Sequence, residues 1–502
     1  MDRDSTFNLD TPTTASTNDN CVEELMRLPL CHHLARRRPL ASQISSGSIS
    51  SAIRILPRAL TTLAIETSCD DTAVAILSKD DDATSTNRFS LRFNERISSD
   101  HRQFRGIEPL VAVQGHTSAI APLLRKALAY LPAAAPDDAA HRVCWAPDGS
   151  PRRIPDFVSV TRGPGITPNL SVGISTAKGL AVAWGVPLVG VHHMQAHALT
   201  PRLVRALGMP MPVDDGFAAT AEGQVPVTSG PEFPFLSLLV SGGHTQLVHS
   251  RSLADHRIVV TTADVAIGNL LDHASRDILP PDVLEAAEDV MYGRTLEAFA
   301  FPDGGTPEEY AASFEPSATR AHELTDPPTG YDWVLPLPLR QTRRLAYSFS
   351  SIGTVVQRIA QARRAQGGGM DVAERRALAR HTMATAFRHL AGRICLALDD
   401  VPALREASTL VVAGGVACNR FLMHALRSTL EARGHGHLRL VVPPPALCTD
   451  NAAMIAWAGM EMYEAGFHTD LSVLAINKWP MDPEEGPGIL GAPGWLRRPG
   501  YE

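Results

Sequence analysis

The same unit, an apolar strand that turns back through a polar tip, occurs twice in this chain. The first unit spans residues 62–77, and the second spans residues 235–248 around the tip Ser241–Thr245. β-rich ends around a polar centre are typical of a strand, a turn and a second strand. Between the two units, residues 206–234 are rich in Pro, Gly and Ala without periodicity, which indicates a linker or loop. The chain is therefore predicted to form two lobes, each opened by one of these hairpins.

The length of 502 residues agrees with two or three domains or lobes. The predicted division is a presequence and disordered amino terminus, an amino-terminal lobe, a linker, a carboxy-terminal lobe with a helical insertion at about 275–400, and a tail. In that order, these five parts cover residues 1–61, 62–205, 206–234, 235–480 and 481–502.

Composition excludes some classes of protein. Hydrophobic residues make up 44% and charged residues 20%, which is ordinary for a globular protein. No apolar run approaches the roughly 20 residues that a membrane-spanning helix needs, so a membrane partner is not expected. The seven cysteines include no CxxC pair, which indicates a reducing compartment without a structural zinc knuckle.

The net charge of −7 is unevenly distributed. Residues 25–65 contain six arginines and no acid, and the stretch 26–62 is also Ser-rich, which is typical of a mitochondrial transit peptide. A disordered basic tail is the alternative. Residues 1–24 carry six acids and do not fit a presequence. The hypothesis is therefore that translation productively begins at Met26, or that residues 1–24 are a gene-model artefact.

Two histidines, His193 and His197, are four residues apart in the segment HHMQAH. On a helix they share one face and can bind one metal ion, or they can simply line and cap a buried helix. Asp450 in CTDN precedes a predicted helix, where Thr, Asp and Asn are common N-caps. Alternatively, its carboxylate completes a two-His-one-carboxylate metal site.

Three short loops have the composition of nucleotide-binding turns, although each could be an ordinary turn. Gly242 and Gly243 allow the backbone to approach a phosphate closely. The segment Gly414–Asn419 repeats this arrangement after another strand, with an amide nearby. The tip at residues 66–72 is rich in hydroxyls and acids, which suit a phosphate or a metal-bound water.

A basic segment lies inside the acidic body of the chain. Residues 340–393 contain eleven arginines and only two acids. Such a run is either a solvated helix face or a local binding surface for the RNA backbone.

Together and in this order, the motifs resemble the tRNA N6-adenosine threonylcarbamoyltransferase family, once described as glycoproteases or O-sialoglycoprotein endopeptidases. The resemblance covers about residues 62–480, and two segments, VHHMQAHAL and GIEPLVAVQGH, resemble its mitochondrial branch. The other matching segments are IETSCDDTAVAI, TRGPGITPNLSVGISTAKGLA, LLVSGGHTQLV, AGGVACN and LCTDNAAMIA.

The resemblance implies an α/β fold of the actin-like ATPase type (sugar kinase and Hsp70), duplicated into two lobes with helical insertions. It implies that the threonylcarbamoyl group of threonylcarbamoyl-AMP passes to N6 of adenosine 37 in mitochondrial tRNAs that read ANN codons, forming t6A and releasing AMP. By this resemblance His193, His197 and Asp450 are metal ligands. Residues matching the family's adenylate and nucleotide contacts are Leu239, Val240, Ser241, Gly242, Gly243, Asp272, Gly293 and Asn419.

The expected cofactor is one divalent metal cation per subunit, with zinc or iron favoured by the histidine ligands and magnesium possible. No catalytic base is identified. The expected partners are threonylcarbamoyl-AMP, mitochondrial tRNA, a second copy in a homodimer and a separate threonylcarbamoyl-AMP synthase, and the expected location is the mitochondrial matrix. Three alternatives are a small-molecule kinase or ATPase of the same superfamily, a metallopeptidase, and an Hsp70-like binding module.

Overall fold

The computed structural model describes residues 59–80, 88–104, 106–134, 142–210 and 230–501. These residues belong to one compact unit. Residues 26–58 of the predicted transit peptide lie outside the described residues. So do residues 211–229 of the predicted linker at 206–234.

The first sheet contains seven strands in the order β15-β14-β7-β6-β1-β2-β3. Strand β1 pairs antiparallel with β2 and parallel with β6, and β6 pairs parallel with β7. The bounds are β1 Leu60–Glu66, β2 Asp71–Lys79, β3 Phe89–Ser98, β6 Phe157–Gly163, β7 Leu188–His192, β14 Phe467–Thr469 and β15 Trp495–Arg497. A separate two-stranded hairpin consists of β4 Val143–Trp145 and β5 Pro151–Arg153.

The second sheet repeats the arrangement of the first. Its six strands have the order β11-β10-β9-β8-β12-β13, again with an antiparallel hairpin followed by two parallel strands. The bounds are β8 Phe235–Val240, β9 Thr245–Ser250, β10 His256–Thr262, β11 Ala346–Tyr347, β12 Thr409–Ala413 and β13 Arg439–Val441. The repeated strand order confirms the predicted duplicated α/β fold, with one hairpin opening each sheet.

Helices cover the sheets and carry the insertion after the second hairpin. The longer helices are α1 Pro109–Leu128, α2 Thr167–Trp184, α3 His193–Ala206, α4 Ile267–Ile278, α6 Gly293–Ala300, α9 Ser350–Ala365, α10 Val372–Asp400, α11 Arg420–Ala432 and α13 Ala452–Glu464. The shorter ones are α5 Pro281–Glu285, α7 Pro307–Ser313, α8 Arg320–Glu323 and α12 Pro445–Cys448. Within the described segments, no helix has both the length and the apolar character needed to cross a membrane.

Three buried clusters alternate with the two sheets. Helices α1 and α2 cover one face of the first sheet, and α4, α9, α10 and α11 pack with the second sheet. Helices α3 and α13 contact each other and share a core with residues of both sheets. This middle layer places the amino end of α3 and the amino end of α13 close together, between the two sheets.

The end of the chain returns to the first sheet, which the sequence did not predict. Strands β14 and β15 follow all strands of the second sheet in sequence, yet β14 pairs with β7 and β15 pairs with β14. Helix α13 packs on β1, β2, β6 and β7 of the first sheet. Trp479, Met481 and Ile489, near or within the predicted tail, are buried.

Candidate functional site

The two histidines of HHMQAH are presented by the start of α3. Strand β7 ends at His192, and His193 is the first residue of the helix, so His193 and His197 are one turn apart on the same face. Both side chains are buried, and their rings are 4.7 Å apart between centroids. His192 points away from this pair, since its Nε2 lies within hydrogen-bonding distance, 2.8 Å, of the Trp479 carbonyl oxygen.

Asp450 approaches these histidines from the other end of the chain. Its Oδ1 lies 3.1 Å from His197 Nε2 and 3.4 Å from His193 Nε2. One ligand atom from each of the three residues lies within 4.8 Å of the others. The N-cap of α13 is Asn451, whose side chain accepts a hydrogen bond from Met454 N at 3.0 Å. The capping role predicted for this segment thus belongs to Asn451, and the Asp450 carboxylate faces the histidines.

The charges of His193 and Asp450 stabilise each other. Burial by itself lowers the pKa of His193, but the carboxylates of Asp450 and Glu66 outweigh it and raise the pKa to about 9. Burial by itself raises the pKa of Asp450, but His193 and His197 lower the pKa below its ordinary value. The site therefore holds a negative carboxylate against a histidine that prefers to be positive, and a cation could replace that proton.

The surroundings of the histidines fit a metal ion. Glu66 is fully buried at the end of β1. Its Oε2 lies 3.3 Å from His193 Nδ1 and also accepts a hydrogen bond from Thr161. A carboxylate on the outer nitrogen of a histidine fixes the ring and leaves Nε2 free to bind a metal. His197 Nδ1 is buried and has no hydrogen-bond partner among the described residues. Two imidazoles and one carboxylate suit zinc or iron.

The first polar tip lies beside this cluster. Burial, followed by the charges of Asp71 and Asp450, raises the pKa of Asp70 to about 6. Arg96 on β3 links the tip to the Asp450 segment, since its Nη1 lies 3.1 Å from Asp71 Oδ2 and 2.6 Å from Thr449 Oγ1. The acids predicted to suit a phosphate or a metal-bound water therefore adjoin the three candidate ligands.

The glycine turn between β8 and β9 is only partly free to bind a ligand. Gly242 and Gly243 are exposed, while Leu239 and Val240 are buried in the cores. The Ser241 hydroxyl accepts hydrogen bonds from Gly243 N at 3.3 Å and His244 N at 3.0 Å. A ligand that used these backbone N–H groups would have to replace the Ser241 hydroxyl.

The predicted nucleotide contacts lie on the helices of the second sheet. Asp272 on α4 accepts a hydrogen bond from Gly293 N, the first residue of α6, at 3.1 Å. Burial raises the pKa of Asp272 to about 7. Asn419 caps α11, since its Oδ1 accepts a hydrogen bond from Leu422 N at 2.8 Å. Asp272 and Gly293 are therefore neighbours, and Asn419 has a structural partner of its own.

The arginines of residues 340–393 are mostly structural. Ion pairs join Arg340 to Asp326, Arg343 to Asp400, Arg363 to Asp332 and Glu374, and Arg364 to Asp277. Others bond backbone carbonyls, namely Arg375, Arg380 and Arg393, or lie over aromatic rings, namely Arg376 and Arg388. Arg393 is fully buried. The interpretation of this segment as one basic surface for RNA is not supported.

Sequence reasoning missed two residues near the candidate ligands. His244 follows the glycine turn, and burial, with the charges of His193 and His197, lowers its pKa to about 4. Its position in SGGHT next to a suspected phosphate loop was a usable signal. Arg96 had no such signal, because it lies in a strand without any motif and meets Thr449 only through the fold.

Comparisons with known proteins agree with the motifs. The sequence model described as tRNA N6-adenosine threonylcarbamoyltransferase matches residues 150–213 and 211–457. The chain is 32% identical to the "tRNA N6-adenosine threonylcarbamoyltransferase, mitochondrial" of Schizosaccharomyces pombe, over 88% of this chain and 90% of that one. It is 32% identical to a "tRNA N6-adenosine threonylcarbamoyltransferase" of Chelativorans sp., over 86% of this chain and 97% of that one.

Solved structures give more distant likenesses. HypF of T. kodakarensis is 13% identical with a TM-score of 0.34, covering 81% of this chain and 49% of that one. The activator of the 2-hydroxyisocaproyl-CoA dehydratase from Clostridium difficile, solved with bound ADPNP, is 12% identical with a TM-score of 0.35, covering 81% and 97%.

Proposed function

Since this chain belongs to the tRNA N6-adenosine threonylcarbamoyltransferase family, we propose that it is a mitochondrial transferase that modifies tRNA. In the proposed reaction, the threonylcarbamoyl group of threonylcarbamoyl-AMP passes to N6 of adenosine 37 in mitochondrial tRNAs that read ANN codons. The products are t6A and AMP. The observation that carries the proposal beyond family membership is the cluster of His193, His197 and Asp450 between the two sheets.

The proposed metal would be held by His193 Nε2, His197 Nε2 and a carboxylate oxygen of Asp450. When bound, a divalent cation neutralises phosphate charge and makes AMP a better leaving group. Glu66 would keep the His193 ring oriented through Nδ1. Zinc or iron is favoured by this donor set, and one ion per subunit is expected.

The chain's own residues would bind the two ends of the donor. The exposed glycines Gly242 and Gly243 can approach the adenylate phosphate, and Asp272 with the amino end of α6 can contact the nucleoside. No motif of the sequence identifies a base toward adenosine N6. Holding the acceptor amine against the acyl carbon would therefore supply much of the rate.

The proposed partners follow from the family resemblance. They are a second copy in a homodimer, a separate enzyme that makes threonylcarbamoyl-AMP, and mitochondrial tRNA. The mitochondrial relative and the Arg- and Ser-rich residues 26–62 support import, and the matrix is the proposed destination. Amino-terminal sequencing of the precursor and the mature protein should find residues 1–24 absent, and a mature chain that retains them would contradict both a start at Met26 and a gene-model artefact.

The alternatives explain less of the site. A kinase of the same superfamily has no need of two histidines in the middle layer. A metallopeptidase of the HExxH type needs a glutamate as general base, and Met194 stands at that position. An Hsp70-like binding module would not need two buried histidines facing an aspartate.

Deleting the gene tests the proposed reaction. Mass spectrometry of mitochondrial tRNA from the deletion strain should show loss of t6A at position 37, while cytosolic tRNA keeps it. Re-expression of the wild-type chain should restore the modification. Normal t6A in mitochondrial tRNA of the deletion strain would defeat the proposal.

A double variant tests the ligand assignment separately. His193→Ala with His197→Ala removes both imidazoles, and we expect loss of bound metal by elemental analysis together with loss of transfer to tRNA. The matched control is His435→Ala with His437→Ala, which also removes two neighbouring histidines, one of them paired with Asp399. Equal metal content in both double variants would refute the ligand assignment.

A further inference from the structure

A cavity of about 180 Å³ lies beside the start of α3. Its lining comes from four places in the chain, namely Pro164 after β6, the junction of β7 and α3, the strands β9 and β10, and residues 477–485 after β14. His192 and Met194, the sequence neighbours of the candidate ligand His193, both belong to this lining. The cavity therefore adjoins the candidate metal site.

The wall formed by the end of the chain is fixed by hydrogen bonds toward both sheets. Gly165 N, which follows β6 of the first sheet, donates to the Asn477 carbonyl at 3.2 Å. Ile258 N, on β10 of the second sheet, donates to Asp482 Oδ2 at 2.8 Å. The cavity is therefore preformed by the fold, as is usual for sites that bind small molecules.

Several polar side chains of the lining are left without a partner in the part of the chain that the structure describes. The His244 ring, the Asn477 amide and the Lys478 ammonium have no hydrogen bond or ion pair there. Lys478 is the one lysine or arginine of the lining, and Glu485, which is exposed and not paired with it, is the one acid. The other lining residues include apolar side chains, such as that of Met481.

We propose that this cavity binds the threonyl end of the donor, with the Lys478 ammonium paired to the threonyl carboxylate. The proposal rests on the proposed function, since it names the part of that reaction's donor that the cavity receives. A threonyl group carries a carboxylate, a hydroxyl and a methyl group. The lining offers a cation, an unpartnered amide and apolar side chains to these three groups.

The order of groups along the donor agrees with the order of sites in the chain's fold. The donor runs from nucleoside through phosphate and carbamoyl group to threonine. Asp272 is proposed for the nucleoside, and the exposed Gly242 and Gly243 for the phosphate. His244 directly follows these glycines and lines the cavity, and the charges of both candidate histidine ligands act on it. The cavity thus continues from the phosphate position, where the carbamoyl and threonyl groups must extend.

Transfer to tRNA from two donors tests the proposal with the purified full-length chain. One donor is threonylcarbamoyl-AMP, and the other carries 1-amino-2-propanol in place of threonine and so lacks only the carboxylate. Lys478→Met should lower kcat/KM for the threonyl donor by about tenfold or more, because a charge-assisted hydrogen bond is lost. It should leave kcat/KM for the carboxylate-free donor nearly unchanged. Lys478→Arg keeps the cation and should recover most of the loss.

Lys178→Met is the matched control, because it removes a lysine on α2 that lies outside the lining. It should transfer from both donors as wild type does. Equal losses for both donors in Lys478→Met would overturn the proposal.

Calorimetric titration with each donor separates this proposal from the proposed function. A chain that binds threonylcarbamoyl-AMP about tenfold more tightly with Lys478 than with Lys478→Met, yet modifies no tRNA, would defeat the proposed transfer and support the cavity. Normal modification of tRNA, with equal affinity for both donors in wild type, would defeat the cavity alone.

Discussion

At the scale of single residues, the candidate site depends on charges that the fold keeps away from water. His193 carries a raised pKa because two carboxylates outweigh its burial, and Glu66 gives the ring a fixed orientation. At Asp272, by contrast, burial decides the pKa and raises it, because no positive charge nearby outweighs the effect of burial. Such groups favour a bound cation or ligand, and they cost stability while they remain uncompensated.

Asp272 gives a prediction for the pH dependence of stability. Its pKa is about 7 in the folded chain, against 3.8 as the ordinary value, so the folded state holds its proton more tightly than the unfolded state. Its favourable contribution is therefore complete below pH 3.8 and is lost as the pH rises toward 7. Asp272→Asn, which keeps an oxygen for Gly293 N, should become more stable relative to wild type as the pH rises.

Urea unfolding of wild type and Asp272→Asn at pH 5 and pH 8 measures this effect. From pH 5 upward, the free energy of unfolding of the variant relative to wild type should increase by about 1 kcal/mol for each pH unit, until the pH reaches the pKa of Asp272. A difference in free energy of unfolding that is the same at both pH values would contradict the assignment. Arg276 and Asp289, which also act on Asp272, are unchanged in both proteins and leave the comparison intact.

At the scale of elements, the ends of strands decide where side chains of the site lie. Gly414 follows β12 with φ +101°, and a methyl group there would lie 2.3 Å from the Val240 carbonyl oxygen at the end of β8. Gly268, near the start of α4, approaches Ser241 in the same way. Because Gly414 and Gly268 lack side chains, their two chain segments can approach the glycine turn and the end of β8 closely.

Gly414→Ala tests this close approach. The substitution combines an unfavourable φ with a clash against backbone, so we expect a loss of about 2 kcal/mol or more in the free energy of unfolding. Gly434→Ala is the control, because Gly434 has φ +82° and no atom within 4 Å of the added methyl group. It should cost about 1 kcal/mol from φ alone. Equal losses in chemical denaturation would show that the approach to Val240 is not tight.

At the scale of the whole molecule, the candidate ligands connect chain segments that are far apart in sequence. His193 and His197 begin a helix that follows the first sheet's β7, and Asp450 follows the second sheet's β13. The two hairpins and the shared face of the two histidines could be predicted from residue patterns, whereas the duplicated fold was implied by the family resemblance. The return of β14 to the first sheet could not, because three residues such as Phe467–Thr469 carry no readable periodicity.

The partners of charged residues could not be predicted from local sequence either. The eleven arginines of residues 340–393 are visible in the sequence, but their acidic partners come from other elements. From residue patterns, Asp450 was linked to the histidines only as an alternative to an N-cap, and the family resemblance supplied the stronger link, since no spacing relates residues so far apart. Pairings of this kind are set by tertiary structure, and local patterns do not record them.

Metal binding should therefore stabilise the molecule as a whole. A ligand that binds only the folded chain raises its stability by about 2.7 kcal/mol at one hundred times its dissociation constant. We expect the thermal midpoint of the metal-free protein to rise with added zinc in calorimetry. His193→Ala with His197→Ala should show no such rise, while His435→Ala with His437→Ala should behave as wild type. A rise of equal size in all three proteins would point to binding elsewhere.

The return of the chain to its first sheet also sets an order of events during folding. Strand β7 lacks its neighbour β14, and the inner face of the first sheet lacks α13, until residues beyond 450 have emerged from a ribosome or a membrane pore. Until then, the first sheet leaves apolar surface uncovered, at the stage when a chain is most prone to aggregate. Production of residues 56–205 alone would therefore yield an incomplete sheet, and a chaperone has its greatest opportunity to act before the last strands arrive.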